Sequence, residues 1–236
     1  MHGNSSSSKI FKELELNYKQ VTLSFYGHDG NEMSKDYSIH SHINQVYETT
    51  NQIDGPVFLI GNSYGGHIAI EVAPKIDRLA GMMIMGCPPL KIPLNFEEAF
   101  HPVPELTTFL TKAPAQTNIE IACSTTVLDK SLSKKLVGNF KKTNPEVREI
   151  LSKEFMSGKW TNQYRIFRQL DCKKYIVAGD VDSSINYEYL QSIADLDQDM
   201  TFLIDIKNCG HYTTYEAPTL LSLIINNAVA EALVNK

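Results

Sequence analysis

The sequence predicts an α/β fold on a parallel sheet, and three observations predict it. Short apolar runs recur along the 236 residues: VTLSF from Val21, PVFLIG from Pro56, LAGMMIM from Leu79, YIVAG from Tyr175 and MTFLIDI from Met200. Near-continuous apolarity in short runs marks strands covered on both faces, as in a parallel sheet. Between the runs lie stretches of helical spacing, and such alternation is the pattern of α/β domains. With 42% hydrophobic and 21% charged residues, the chain is long and apolar enough for one substantial core.

Each element has its own warrant. The chain opens MHGNSSSSKIF, whose serine run reads first as a flexible linker or tag remnant. VTLSF follows as a strand of β-branched and large apolar residues, and residues 38–53 as a helix. PVFLIG is the next strand, residues 67–73 a helix, and LAGMMIM a strand whose Met82, Met83 and Met85 belong to the core. From Pro88 to Leu170 no strand signal is convincing. PELTTFLTKA, DKSLSKKLVGNF and PEVREILSKEF are Pro-punctuated helical patterns, and an excursion of this size is too long for a plain loop. The expected organisation is therefore a core of residues 1–87 and 171–236, with a helical cap at 88–170. YIVAG and MTFLIDI complete the strands. A helix over 187–194 lies between them, and one over 219–234 follows with a stripe of Leu220, Leu223, Ile224, Ala228, Ala232 and Leu233.

Composition excludes several classes of function. A formal net charge of −5 leaves no basic stripe for nucleic acid. No apolar stretch approaches the length of a membrane span. Cys87, Cys123, Cys172 and Cys209 are scattered without a CxxC pair, which suits free thiols in a reducing, cytoplasmic compartment. His40 and His42 stand at the start of a helix with no further ligand near, so no metal site is expected. His28 and His67 read as structural. The sequence says nothing of oligomeric state.

The chemistry begins at Gly61-Asn62-Ser63-Tyr64-Gly65-Gly66, a G-x-S-x-G placed after a strand and before a helix. A serine on a sharp strand-to-helix turn needs small neighbours two positions away, and the helix N-terminus beside it favours developing negative charge. A nucleophilic serine needs a base and a group to orient that base. Asn208-Cys209-Gly210-His211 follows the last strand, and Gly179-Asp180-Val181-Asp182 leaves the end of YIVAG. Ser63, His211 and an aspartate thus all emerge from the C-terminal edge of one sheet, in the chain order Ser, Asp, His of an α/β-hydrolase triad.

The HGNSSS opening, the GxSxGGHI turn, GCPP and NCGHYTTYEAP together resemble the N-acyl-homoserine lactonases of α/β-hydrolase fold, over nearly the whole chain. They differ from the metallo-lactonases, whose HxHxDH is absent. The resemblance implies an α/β-hydrolase fold and a cofactor-free serine hydrolase of a small carboxylic ester or lactone. It casts Ser63 as nucleophile, His211 as general base and acid, and Asp182 as the orienting carboxylate, with Asp180 as the alternative. It turns the opening serines into an oxyanion loop, with Asn4 and Tyr64 giving their backbone N–H groups and Ser7 or Ser8 capping a helix from Lys9 to Leu14. Phe155 and Trp160 read either as lining an acyl pocket or as packing the cap against the core. A general esterase, a C–C hydrolase or a non-catalytic ligand binder on the same fold are the alternatives. The resemblance also implies a central strand before His2, between VTLSF and PVFLIG. It leads to the expectation that a natural protein carries roughly 25 more residues upstream, because a missing central strand would unpair several backbone groups at about 1–3 kcal/mol each.

Overall fold

In a computed structural model, which describes residues 1–158 and 160–234, four strands form one parallel sheet in the order β1-β2-β3-β4. They are β1 (Val57–Asn62), β2 (Leu79–Met85), β3 (Lys173–Gly179) and β4 (Thr201–Ile206). β1 pairs with β2 from Val57 opposite Leu79, β2 with β3 from Gly81 opposite Lys173, and β3 with β4 from Lys174 opposite Thr201. Every residue of β2 is buried. Met82 and Ile84 join one cluster with α1 (Ile39–Asn51), α2 (Tyr64–Val72) and residues of the later helix over 187–195. Met83 and Met85 face the other cluster, shared with the C-terminal helix. This period-two division is what a strand covered on both faces produces.

The helices start where short polar side chains can serve free backbone donors. In α1, Ser38 accepts from Ser41 N, and Ile39, His42, Ile43, Val46 and Thr50 form the buried face. Between β2 and β3 the chain makes a helical excursion. It carries α3 (Phe96–Ala99), a 3₁₀ stretch Pro104–Leu110, α4 (Gln116–Thr125), α5 (Ser133–Lys141), α6 (Pro145–Met156) and α7 (Gln163–Gln169). α6 begins with Pro145 in its first turn and Asn144 accepting from Glu146 N, a start the PEV sequence signals. After β3 come α8 (Tyr187–Asp195), then β4, α9 (Thr213–Glu216) and α10 (Pro218–Val234). All four cysteines are buried. Among the described residues no helix is long and apolar enough to cross a membrane.

Four expectations are corrected. Residues 21–25 form no strand. β1 spends its other edge on Met1, whose amino group donates to Ile60 O at 2.6 Å and whose carbonyl accepts from Asn62 N at 3.0 Å. The Phe58 backbone groups and Ile60 N–H on that edge have no backbone partner among the described residues. A cavity of about 300 Å³ separates them from residues 21–23, lined by Val21, Leu23, Val46, Val57, Ile225 and Val229 among others. A strand exists only where a neighbour completes its ladder, and residues 21–25 have none.

The helix expected from Lys9 is a single 3₁₀ turn, Ser8–Phe11; Ser7 stands at its cap but gives its hydroxyl to Asn139 Oδ1 at 3.2 Å instead. α2 starts at Tyr64, not His67, because Gly66 N and His67 N both reach the Ser63 carbonyl. In α10 the buried face is Leu221, Ile225, Ala228, Val229 and Ala232, while Leu220, Leu223 and Leu233 are exposed. That helix is apolar nearly all round, so its periodicity does not select a face.

Candidate active site

Ser63 sits between β1 and α2 with φ 52° and ψ −123°, in a region that residues with a Cβ rarely adopt. Its two glycine neighbours make the turn possible. A Cβ on Gly61 would collide with Gly65 O, and one on Gly65 with Met1 O. The turn is fastened from β2, where Met85 O accepts Ser63 N at 2.8 Å. Asn62 Nδ2 ties it further, donating to Met85 O at 3.2 Å and to His211 O at 3.3 Å.

His211 and Asp182 leave β4 and β3 at the same edge. His211 Nδ1 lies 2.6 Å from Asp182 Oδ2, with both side chains nearly closed from solvent. Two further donors hold the carboxylate, Ser184 N at 3.1 Å and Ser184 Oγ at 2.6 Å, both on Oδ1. Burial pushes the Asp182 pKa up, but the His211 charge and these hydrogen bonds outweigh it, and the net is downward. Burial likewise opposes charge on His211, and the Asp182 carboxylate with its hydrogen bond raises that pKa overall. With Nδ1 engaged by Asp182, Nε2 is the ring nitrogen left to take a proton. Ser63 Oγ makes no hydrogen bond among the described residues. Asp180 is turned elsewhere, accepting from Cys209 N at 3.3 Å and lying 3.9 Å from Lys207 Nζ.

The serine run is neither tail nor tag in this fold: Ser5, Ser6 and Ser7 are buried. Gly3 lies against Ser63, since a Cβ there would be 3.2 Å from Ser63 Cβ and 3.6 Å from Oγ. The Asn4 side chain is occupied, donating to Phe109 O at 2.6 Å, while its backbone N–H has no partner among the described residues. Tyr64 N–H is equally open, and the Tyr64 hydroxyl is drawn into the core by His42 Nδ1 at 2.7 Å. Two unpaired N–H groups beside a serine are what an oxyanion requires.

Trp160 is buried, its ring centroid 5.0 Å from Phe155, 5.4 Å from His67 and 6.3 Å from Tyr64. Its Nε1–H has no partner among the described residues. His2, His28, His42 and Phe25 form an aromatic cluster under the turn, and His67 Nδ1 meets Gln163 Oε1 at 2.8 Å, so these histidines are structural. No group of three or more His, Cys, Asp or Glu among the described residues could hold a metal ion.

Sequence reasoning missed Asn62, Ser184, Gln163 and Glu216. Ser184 had a signal, because a serine two residues after an aspartate commonly closes a side-chain turn.

A family model described as "Alpha/beta hydrolase family" matches residues 1–222. Solved structures share the fold. The N-acyl homoserine lactonase AidH, in complex with N-butanoyl homoserine, is 23% identical over 98% of this chain and 87% of its own, with a TM-score of 0.82. The meta-cleavage product hydrolase CumD from Pseudomonas fluorescens IP01 is 18% identical over 98% and 89%, at 0.78. A thermophilic esterase from Thermogutta terrifontis is 15% identical over 98% and 88%, at 0.77. No curated protein matches the sequence.

Proposed function

We propose that this chain, which belongs to the alpha/beta hydrolase family, is a serine hydrolase of a carboxylic ester or lactone working through Ser63, His211 and Asp182. The observation that carries the proposal is the 2.6 Å His211–Asp182 pair beside a serine on a strained, glycine-flanked turn. Ser63 Oγ attacks the carbonyl carbon while His211 Nε2 takes its proton, and Asp182 keeps that tautomer and steadies the imidazolium. The oxyanion rests on the Asn4 and Tyr64 N–H groups. His211 returns the proton to the leaving oxygen, then activates the water that releases the acid. In a lactone the leaving alcohol stays on the product. Every group in this route belongs to the chain, so no cofactor enters it.

The substrate we favour is an N-acyl-homoserine lactone, with residues 88–170 as a cap over its acyl chain. Supporting this are the likeness to AidH, the Asn4 tie to Phe109 on that segment, and the Phe155–Trp160 pair next to the Tyr64 ring. The unpaired Trp160 Nε1–H is a donor that a carbonyl of the bound substrate would satisfy. The test offers homoserine lactones and simple esters side by side while following acid release, with a fluorophosphonate to label the serine. Lactone turnover lost with Ser63 labelling is expected. Faster turnover of simple esters would move the assignment to a general esterase, and binding without turnover or labelling would overturn the catalytic reading.

A further inference from the structure

Behind His211 one carboxylate joins two distant parts of the chain. Glu216 Oε1 accepts from Leu128 N at 2.6 Å and Asp129 N at 3.0 Å, both on the excursion. Its Oε2 accepts from Gly210 N at 2.7 Å, the residue before His211. The same two segments meet again where His211 N donates to Thr126 O at 2.8 Å. They touch closely: a Cβ on Gly210 would lie 2.7 Å from Thr126 O and 2.9 Å from Glu216 Oε2. Nothing in the triad chemistry requires this carboxylate.

We infer that Glu216 is a positioning residue for His211, clamping the histidine loop to residues 126–129 so that the imidazole is held for Ser63; the inference rests on the serine-hydrolase reading above. The His211 backbone has three anchors: Thr126 O, Asn62 Nδ2 and, one residue back, the Glu216 bond to Gly210 N. Glu216 supplies the last and also fixes the segment that carries the first, so losing it loosens two of the three. The ring is tied to Asp182 through Nδ1. A backbone free to shift therefore misdirects Nε2 or strains that tie, and small misplacements are costly in catalysis. The task suits a carboxylate, which accepts three backbone N–H groups and donates nothing. An amide would turn an NH₂ toward one of those donors. An aspartate, one methylene shorter, would not span both segments.

The experiment compares wild type, Glu216→Gln and Glu216→Asp at a temperature where circular dichroism shows all three fully folded. We expect kcat to fall about 10–100-fold in both variants with KM within about threefold, the scale of a displaced catalytic group. Fluorophosphonate labelling of Ser63 should slow by the same factor. The downfield His211 Nδ1–H proton resonance, a signature of the bond to Asp182, should broaden or vanish. Unchanged kcat and an unchanged resonance in both variants would overturn the inference. So would impairment of Glu216→Gln alone, which would assign the effect to charge rather than to the clamp. If the wild type shows no Ser63-dependent turnover or labelling, the proposed function falls, and the resonance still decides whether Glu216 positions His211.

Discussion

Burial pushes the imidazoles of His2, His42 and His67 down to about 3, 4 and 4, and holds His28 well below the usual range, so none of them carries charge near neutrality. His211 moves the other way, above 6.5. A base must be neutral to accept a proton, so kcat/KM is expected to rise with pH through one ionisation above that of a free histidine. A pH–rate profile with its limb at or below that value would contradict the Asp182 contact. Asp182→Asn should lower kcat about 10⁴-fold, since the wrong tautomer is then favoured, and Ser63→Ala should leave less than a hundredth of the rate with the melting temperature little changed. The stability terms have opposite signs. His211 stabilises the fold below its unfolded value near 6.5, and that is lost as pH rises through its folded pKa. Asp182 contributes above 3.8 and loses its share as pH falls through its folded pKa. At this scale the position of Ser63, His211 and the Asp180–Asp182 stretch at strand ends was legible from spacing, while the preference for Asp182, the one that meets His211, came from the resemblance and not from spacing. Glu216 was not legible. Its role depends on how Leu128 and Asp129 fold back to meet it, which no local spacing encodes.

The elements show why the excursion matters to the site. Each site-bearing segment is hydrogen-bonded to a different part of it: Asn4 to Phe109, Ser184 and Asn186 to His101 and Ala99, His211 to Thr126, and α2 to residues 161–163. The last of these ties is the most buried. Gln163 is fully enclosed, takes His67 Nδ1–H and Leu90 N–H on its oxygen, and gives its amide to Glu71 at 3.0 Å. Gln163→Ala would strand these partners without water. At about 1–3 kcal/mol for each unsatisfied group, a loss of about 3 kcal/mol is expected, or roughly 6–12 °C in Tm at this chain length. Calorimetry checks it, and a shift under about 2 °C would mean that water reaches the network. The strands β1 to β4 were legible because their apolar runs are nearly unbroken; β2 and β3 are buried on both faces, whereas β4 is half-buried between its ends. The buried face of α10 was not, since its composition offers two faces of similar apolarity and only packing against β2 selects between them.

For the molecule as a whole, the alternation of strand and helix sufficed to give the layers, the parallel sheet and the edge at which the site is assembled. The alternation alone says nothing of the sheet beyond β1, where the resemblance led to the expectation of unpaired backbone groups. There the Phe58 backbone groups and Ile60 N–H face a 300 Å³ apolar slot across from residues 21–23. A row of unsatisfied donors and acceptors is a template, and a sheet that offers one recruits whatever extended chain can reach it. Colloidal behaviour should therefore be the weak point of this chain, separate from its chemistry. Concentrated samples are expected to scatter light increasingly on warming and to bind thioflavin, while Val21→Lys, which sets a charge at the mouth of the slot, should delay both. Clear solutions with no dye binding up to the melting temperature would show that water alone satisfies that edge.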